Sequence, residues 1–195
     1  MTGLFFGSFN PIHTGHLIIA NNMLEFAGLS EVWFVVSPQN PLKQKSTLLN
    51  QYDRLHLINL AIEDNVKFKA CDIEFNLPKP SYTIDTLTYL KEKYINKDFA
   101  LIIGSDNLST FKKWKNYEVI LDNYPVLVYN RRGYTESSLI NNPSIKHFDF
   151  PLLDISSSEI REMILQKKSV KYLMPEKVLE YISESSLYKK VKKLS

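Results

Sequence analysis

Short apolar runs recur along this chain, and the longer segments between them place their apolar residues at a helical spacing. Five runs are typical of buried strands and a weaker sixth follows them: Leu4–Phe6, Val32–Val36, Val66–Ala70, Phe99–Ile103, Val126–Tyr129 and Ile145–Phe148. This alternation predicts a doubly wound α/β domain with a mostly parallel sheet of five or six strands. In the last part of the chain, Val178 and Ile182 after Pro175 predict a small C-terminal helical segment.

The loop after the first apolar run has the most distinctive sequence, Gly7-Ser8-Phe9-Asn10-Pro11-Ile12-His13-Thr14-Gly15-His16. It leads directly into a helical pattern, and the free N–H groups and dipole of such a helix start favour an anion such as phosphate. The second glycine of the dinucleotide fingerprint and the G-K-[ST] ending of a P-loop are missing. A zinc pair of His13 and His16 is disfavoured, since no Cys/His cluster lies nearby. A helix-start histidine without a role is the other alternative, and two histidines around one glycine weaken it.

A second candidate anion site follows the sixth run, in the sequence Ile155-Ser156-Ser157-Ser158-Glu159-Ile160-Arg161. Ser156 and Glu159 have the spacing of a capping box, which predicts a helix start. The N–H groups of its first turn, the serine hydroxyls and Arg161 can converge on one anion. Without Arg161 the pattern would be structural only, because capping boxes are common.

The run Phe99–Ile103 ends in Gly104 and then an acidic residue, Asp106, where a carboxylate can accept hydrogen bonds from ribose hydroxyls. Trp114 follows eight residues later and offers an indole face to a flat ring. The alternative for Trp114 is a core anchor. Its lysine neighbours disfavour full burial, so we prefer the binding role.

Other segments of the chain also carry polar candidates. The loop after the second run holds Lys43 and Lys45, which either face phosphate or are simply solvated, and we favour Lys43. Ser81 or Thr83 is expected to cap a helix. The pair at positions 131 and 132, both arginine, meets phosphate or solvates a turn, and the residues do not decide between these. His56 is expected at the surface, and His147 has no informative context.

Composition bounds the remaining possibilities. With 195 residues and 44% hydrophobic residues, the chain can bury one sizeable core, which predicts one domain over residues 1–188 and a basic tail over 189–195. Four of the lysines lie in that tail, and the formal charge of +3 becomes −1 without them, which disfavours nucleic-acid binding. The single cysteine, the absence of a leader pattern and the lack of long apolar runs predict a cytoplasmic protein that does not enter a membrane. It is expected to be a monomer or a homo-oligomer.

Several of these motifs resemble one enzyme family. G-x-F-x-P-x-H-x-G-H and I-S-S-[ST]-x-[IL]-R resemble the two triphosphate-binding elements of the nucleotidylyltransferase superfamily. P-S-Y-T-I-D-T at residues 80–86, G-x-D-x(7)-W from residue 104 and P-x-x-P-x-K from residue 38 resemble bacterial nicotinate mononucleotide adenylyltransferases. The resemblance extends from Gly7 to Arg161 and implies a Rossmann-like fold.

The resemblance implies transfer of the adenylyl group of ATP to nicotinate mononucleotide, giving deamido-NAD and pyrophosphate. The substrate 5′-phosphate would attack the α-phosphorus directly, with Mg²⁺ held by phosphates and water and no protein metal ligand. The implied catalytic residues are His13, His16, Lys43 and Arg161. Those implied for ATP are Gly7, Ser8, Phe9, His16, Ser156, Ser157 and Arg161, and those for the mononucleotide are Asn10, Tyr82, Thr83, Asp106 and Trp114. The alternatives are a superfamily enzyme with another acceptor and a non-catalytic nucleotide sensor.

Overall fold

The computed structural model describes residues 1–38, 48–131, 137–185 and 187–188, and its centre is one parallel sheet. The sheet has six strands in the order β3-β2-β1-β4-β5-β6, and every pairing is parallel. The strands are β1 Thr2–Gly7, β2 Glu31–Val36, β3 Phe68–Cys71, β4 Phe99–Gly104, β5 Val126–Tyr129 and β6 Ile145–Phe148. The predicted Rossmann-like α/β class is confirmed, and the weak sixth run is a strand.

Helices lie between and after the strands. They are α1 Thr14–Phe26, α2 Gln51–Ile62, α3 Thr83–Lys93, α4 Ser105–Leu108, α5 Tyr117–Asn123, α6 Ser157–Leu165 and α7 Glu176–Glu184, with single 3-10 turns at Ile73–Asn76 and Phe111–Lys113. The predicted C-terminal helical segment is present. None of the described helices is long and apolar enough to cross a bilayer. The division into residues 1–188 and a tail stays a prediction, because 189–195 lie outside the described residues.

The strand order places a topological switch at β1. The chain leaves β1 for β2 on one side and later returns to β4 on the other, so that Thr2 lies opposite both Glu31 and Phe99. The loops that leave β1 and β4 therefore diverge at the carboxyl edge of the sheet and open a crevice there. Gly7 ends β1 and Gly104 ends β4.

Two apolar layers cover the two faces of the sheet. Leu4 and Phe5, adjacent on β1, belong to different buried clusters because successive side chains of a strand point to opposite faces. One cluster includes Met23 of α1 and Ile182 of α7, and the other includes Leu87 of α3. The central strands are therefore covered on both sides, which explains their continuous apolar sequences.

One predicted strand boundary is wrong. The third run was expected to start at Val66, but that residue is fully exposed and β3 begins at Phe68. Asn65 is the reason, because its side-chain oxygen accepts a hydrogen bond from the Lys67 N–H (3.0 Å) and its carbonyl accepts one from the Phe68 N–H (3.0 Å). This local turn occupies backbone groups that a longer strand would need.

Candidate active site

The turn between β1 and α1, residues 8–13, is the centre of the candidate site and is folded tightly onto the core. Phe9 has a φ of +43° and its side chain is buried, with its ring 5.6 Å from Phe34 and 5.0 Å from His16. A Cβ atom at Gly7 would lie 2.7 Å from the Phe9 ring, so only glycine fits there. Phe9, predicted to contact ATP, thus serves as a packing anchor of this turn.

His13 and His16 form a stacked pair at the start of α1. Their ring centroids are 3.7 Å apart, and the backbone N–H of His13 donates a hydrogen bond to Nδ1 of the His16 ring (3.3 Å). When the His16 ring is neutral, its proton therefore lies on Nε2. His16 is half-buried, whereas His13 is almost fully buried.

The environment of His13 keeps its ring uncharged. Burial, assisted by the positive charge of Arg131, lowers the pKa of His13 from 6.5 to about 4. A neutral imidazole has one N–H donor, so at pH 7 His13 can give one hydrogen bond but supplies no cation. Its Nδ1 is buried and has no hydrogen-bond partner in the described part of the chain.

The predicted second anion element packs directly against this turn. The capping box of Ser156 and Glu159 is present, and α6 begins at Ser157 as expected. The Ser157 hydroxyl donates to the Pro11 carbonyl (2.9 Å), and Nη1 of Arg161 donates to the carbonyl of Asn10 (2.7 Å). The structure therefore brings the starts of α1 and α6 together, as the two motifs require.

Arg54 is a residue of this region that sequence reasoning missed. It lies on α2, is fully buried, and its guanidinium donates hydrogen bonds to four backbone carbonyls, those of Ser8 (2.5 Å), Ser37 (2.9 Å), Pro38 (3.2 Å) and Leu49 (3.1 Å). Burial lowers its pKa to about 10, which still leaves it charged at pH 7. No salt bridge to a carboxylate forms among the described residues. A buried positive charge therefore lies beneath the turn.

A signal for Arg54 existed in the sequence. Leu57, Ile58 and Ala61 of α2 are buried, and Arg54 lies three to four residues before the first two, on the same helix face. An arginine on the apolar face of a helix must find buried acceptors. The sequence does not show which acceptors these are.

Asn10, predicted to contact the mononucleotide, is buried and engaged within the protein. Its side-chain oxygen accepts hydrogen bonds from the Leu49 N–H (3.3 Å) and from the hydroxyl of Tyr188 (2.9 Å). Its backbone carbonyl accepts the bond from Arg161. Asn10 thus connects this turn to three distant parts of the chain.

A cavity of about 390 Å³ opens beside the turn, between the end of β1, the start of α3 and the segment around Trp114. This volume is within the range of small-molecule sites. The predicted site residues that line it are Gly7, Ser8, Tyr82, Thr83 and Trp114. The structure therefore separates the predicted residues into two neighbouring groups that share Gly7 and Ser8.

Trp114 forms one wall of the cavity. It is half-buried, and its ring is 4.9 Å from that of Phe111, which is fully buried behind it. The indole therefore packs on the core with part of its surface while it lines the cavity. Lys113, which sequence reasoning did not single out, lines the cavity beside it and is exposed.

The start of α3 forms another part of the cavity wall. The helix begins after Tyr82, and the predicted caps are wrong, because neither Ser81 nor Thr83 occupies the N-cap position and the Ser81 hydroxyl donates to Glu74 (3.1 Å) instead. Lys115 forms a salt bridge with Asp85 (2.9 Å) and lies 4.9 Å from the centre of the Tyr82 ring. These contacts fix the rim of the cavity.

Glu74 is a buried carboxylate in the cavity wall that sequence reasoning also missed. It accepts hydrogen bonds from the hydroxyls of Ser37, Ser81 and Thr86 (2.8 Å for Thr86). Burial raises the pKa of Glu74, and these hydroxyl bonds oppose the rise. The carboxylate therefore ties the end of β2 to the loop before α3.

Asp106 lies after β4 next to the cavity and pairs with a neighbour. Its Oδ2 forms a salt bridge with Nη1 of Arg131 (2.9 Å), and its Oδ1 is buried without a hydrogen-bond donor in the described part of the chain. A Cβ atom at Gly104 would lie 2.3 Å from that Oδ1, so glycine is required for this approach. Arg131 thus has a carboxylate partner, where the sequence left phosphate and solvent as alternatives.

The remaining candidates lie away from this crevice or outside the described residues. Lys43, Lys45 and Arg132 are among the residues that the structure does not describe. His56 is exposed, as expected, with its ring 4.6 Å from that of Tyr181. His147 is exposed on β6. The described ranges contain no cluster of three or more His, Cys, Asp or Glu side chains that could hold a metal ion.

Comparison with known proteins agrees with this architecture. Residues 4–163 match the model of the cytidylyltransferase-like family. A probable nicotinate-nucleotide adenylyltransferase of Flavobacterium johnsoniae is 53% identical over 190 residues, which cover 96% of this chain and 98% of the relative. A protein of the same description from Cytophaga hutchinsonii is 52% identical over 186 residues, covering 95% and 97%.

Solved structures show the same fold at low identity. The nicotinic acid mononucleotide adenylyltransferase of Plasmodium falciparum, complexed with NaAD, superposes with a TM-score of 0.79 at 21% identity, covering 96% of each chain. The family follows from the coverage and the percentage identity of the sequence matches. This chain belongs to the nicotinate-nucleotide adenylyltransferases, within the cytidylyltransferase-like family.

Proposed function

We propose that this protein transfers the adenylyl group of ATP to nicotinate mononucleotide, with deamido-NAD and pyrophosphate as products. The observation that carries the proposal is the position of the cavity: it begins at Gly7 and Ser8, the first residues of the G-x-F-x-P-x-H-x-G-H motif, and ends at Trp114 and the start of α3. An acceptor that fills this cavity would therefore have its phosphate end at the turn where ATP is expected.

In this assignment the turn and the start of α6 hold the triphosphate. His16 and His13 donate hydrogen bonds to phosphate oxygens as charge accumulates on them, and Arg161, which lies at the junction of the two helix starts, adds a positive charge. Lys43 keeps its proposed role on the strength of its motif alone. No covalent enzyme intermediate is needed, because the 5′-phosphate of the acceptor is itself the nucleophile.

The acceptor's ring and ribose are assigned to the other group of residues. Trp114 stacks on the pyridine ring, the N–H groups at Tyr82 and Thr83 bind its carboxylate, and Asp106 accepts hydrogen bonds from the ribose. The first N–H groups of a helix have no partner one turn earlier, so they are suited to an anion. Lys113 in the same wall adds positive charge.

A divalent metal ion is common among nucleotidyltransferases of this type, and we propose Mg²⁺. Because the described residues offer no cluster of three or more acidic, His or Cys side chains, they fit an ion held mainly by phosphate oxygens and water. When bound, the ion would neutralise charge on the triphosphate. The protein would hold the phosphates in position beside the ion.

The test is an acceptor panel. The protein is incubated with ATP, Mg²⁺ and one acceptor at a time, namely nicotinate mononucleotide, nicotinamide mononucleotide, phosphopantetheine and glycerol 3-phosphate, and pyrophosphate release is measured. The proposal expects release with the pyridine mononucleotides only. Release with another acceptor alone would assign the chain to a different enzyme of the superfamily, and ATP binding without any release would indicate a nucleotide sensor.

The same assay tests the assigned carboxylate receptor. Nicotinate mononucleotide should be used about tenfold to a hundredfold better than the nicotinamide form, because a neutral amide would oppose its own N–H donors to the donors at the start of α3, and an unmatched buried donor costs roughly 1–3 kcal/mol. The kcat/KM values of the two acceptors, measured side by side, check this. Equal values would mean that the carboxylate receptor lies elsewhere.

A further inference from the structure

The hydroxyl of Tyr188 reaches the turn of residues 8–13 from a position far along the chain. It donates a 2.9 Å hydrogen bond to Oδ1 of Asn10, across 178 positions of sequence, and the bond is buried. Tyr188 itself is buried in the same apolar cluster as Val178 and Ile182 of α7. The contact is therefore part of the packed interior.

The direction of this hydrogen bond follows from a third residue. The backbone N–H of Leu49 can only donate, and it faces the same Asn10 atom at 3.3 Å, so that atom is the amide oxygen. Tyr188 must then be a donor as well. Two donors from distant segments thereby fix which way the Asn10 amide faces.

Asn10 is also one of the residues through which the turn is held. Its carbonyl accepts the bond from Arg161, and the neighbouring carbonyl of Pro11 accepts the bond from Ser157. The backbone of Tyr188 has a φ of +61°, a conformation that a tyrosine keeps only where its surroundings impose it. The packing around Tyr188 thus holds its hydroxyl at this position.

We propose that Tyr188 is a positioning residue for the adenylyl transfer, acting through Asn10 on the turn of residues 8–13, which carries His13 and leads into α1 with His16. This inference rests on the proposed function. The proposal gives the residue that follows α7 a part in the reaction. The turn that faces the phosphates would depend for its orientation on the Tyr188 hydroxyl. Small displacements of positioning groups cost up to about a hundredfold in rate.

The test is Tyr188→Phe, which keeps the buried ring and removes only the hydroxyl. Tyr181→Phe is the matched control, since it makes the same change on α7 in a residue away from the turn. We expect kcat of Tyr188→Phe to fall about tenfold while the KM for ATP changes less than about threefold, and Tyr181→Phe to match the parent protein. Circular dichroism at the assay temperature confirms that both variants are folded.

A double-mutant cycle with Asn10→Ala separates positioning from general loss of stability. If Tyr188 acts through Asn10, Tyr188→Phe lowers kcat by less than about twofold once Asn10→Ala is present. Equal losses in both backgrounds, or an unchanged kcat for Tyr188→Phe, would overturn the proposal.

Should Tyr188→Phe be unfolded at the assay temperature, hydrogen exchange of the turn amides at a lower temperature decides. Faster exchange than in Tyr181→Phe supports the proposal and equal exchange refutes it. A parent protein that releases no pyrophosphate would refute the proposed function instead.

Discussion

The two halves of the candidate site are built in different ways. At the turn of residues 8–13, the backbone carbonyls of Ser8, Asn10 and Pro11 accept hydrogen bonds from side chains of α2 and α6, and the buried side chains face inward. In the cavity beside it, side chains such as Trp114 and Lys113 line an open volume. The turn is thus fixed mainly through its main chain, whereas the cavity is shaped by side chains.

This difference fits the two tasks assigned to the site, which are phosphate binding and recognition of the acceptor. All nucleoside triphosphates carry the same phosphates, and a rigid turn with aimed N–H groups suits that part of the ligand. An acceptor is distinguished by its ring and substituents, and side chains on a cavity wall can be adapted to them. Substitutions at the turn should therefore change stability and kcat, and substitutions in the cavity should change the KM of the acceptor.

Arg54 offers the largest expected effect. Arg54→Met keeps a long side chain of similar volume but leaves four buried or partly buried backbone carbonyls without their donor, so the free energy of unfolding should fall by about 3–5 kcal/mol. Urea unfolding followed by circular dichroism measures it. Arg54→Lys, which restores the charge but not the fork of donors, should recover only part of the loss. A loss below about 1 kcal/mol would show that the turn does not depend on Arg54.

Arg54 also shows where sequence reasoning stops. The strands and the starts of α1 and α6 were predictable, because continuous apolar runs and the capping box of Ser156 and Glu159 are local signals. The acceptors of Arg54 belong to segments up to 46 residues away and exist only once β1 and β2 are side by side. Glu74 was missed for the same reason, since its partner Thr86 lies on α3.

Several residues named from the motifs lie at the crevice, but the motifs did not describe how each is engaged. Asn10 was expected to face the mononucleotide, and its side-chain oxygen instead accepts two hydrogen bonds from within the protein. Asp106 was expected to face ribose, and it holds Arg131. Sequence spacing places a residue at the end of a strand, while its partners depend on the other loops of the same edge. The predicted roles of these residues in binding stay predictions.

His16 tests the catalytic part of the turn. In His16→Asn the side-chain amide oxygen can replace Nδ1 as the acceptor for the backbone N–H of His13, while the donor at Nε2 is lost. We expect kcat to fall by about 10²-fold or more, which corresponds to roughly 3 kcal/mol of transition-state stabilisation, with a small change in Tm.

His16→Gln is the matched variant, because its amide nitrogen can approach the position of Nε2, and it should keep more activity than His16→Asn. Near-normal turnover of His16→Asn would exclude a transition-state role. If the variant unfolds, the residue is structural.

The buried His13 predicts a pH dependence of stability. Its pKa is about 4 in the folded protein against 6.5 for an exposed histidine, so below pH 6.5 the unfolded chain binds more protons than the folded one. Stability from this residue is full above pH 6.5 and is lost as the pH falls toward 4, by about 2 kcal/mol at pH 4.5.

The measurement is the free energy of unfolding between pH 7 and pH 4.5. His13→Gln should lose about 2 kcal/mol less over this interval than the parent protein, because glutamine does not titrate. The control is His56→Gln, which makes the same substitution at an exposed histidine. The same slope in all three proteins would show that His13 titrates normally.

Trp114 tests the cavity half of the comparison, with the smallest expected effect. Trp114→Ala should raise the KM of nicotinate mononucleotide by about tenfold, since stacking on an aromatic face contributes roughly 1–3 kcal/mol, and should leave the KM of ATP within about twofold. Trp114→Phe keeps an aromatic face beside Phe111 and should lose less. Some stability will be lost as well, because the indole packs on the core, so both constants are measured well below the Tm of the variant. If the KM of ATP rises instead, the indole belongs to the adenine site, and the division between a phosphate turn and an acceptor cavity is wrong.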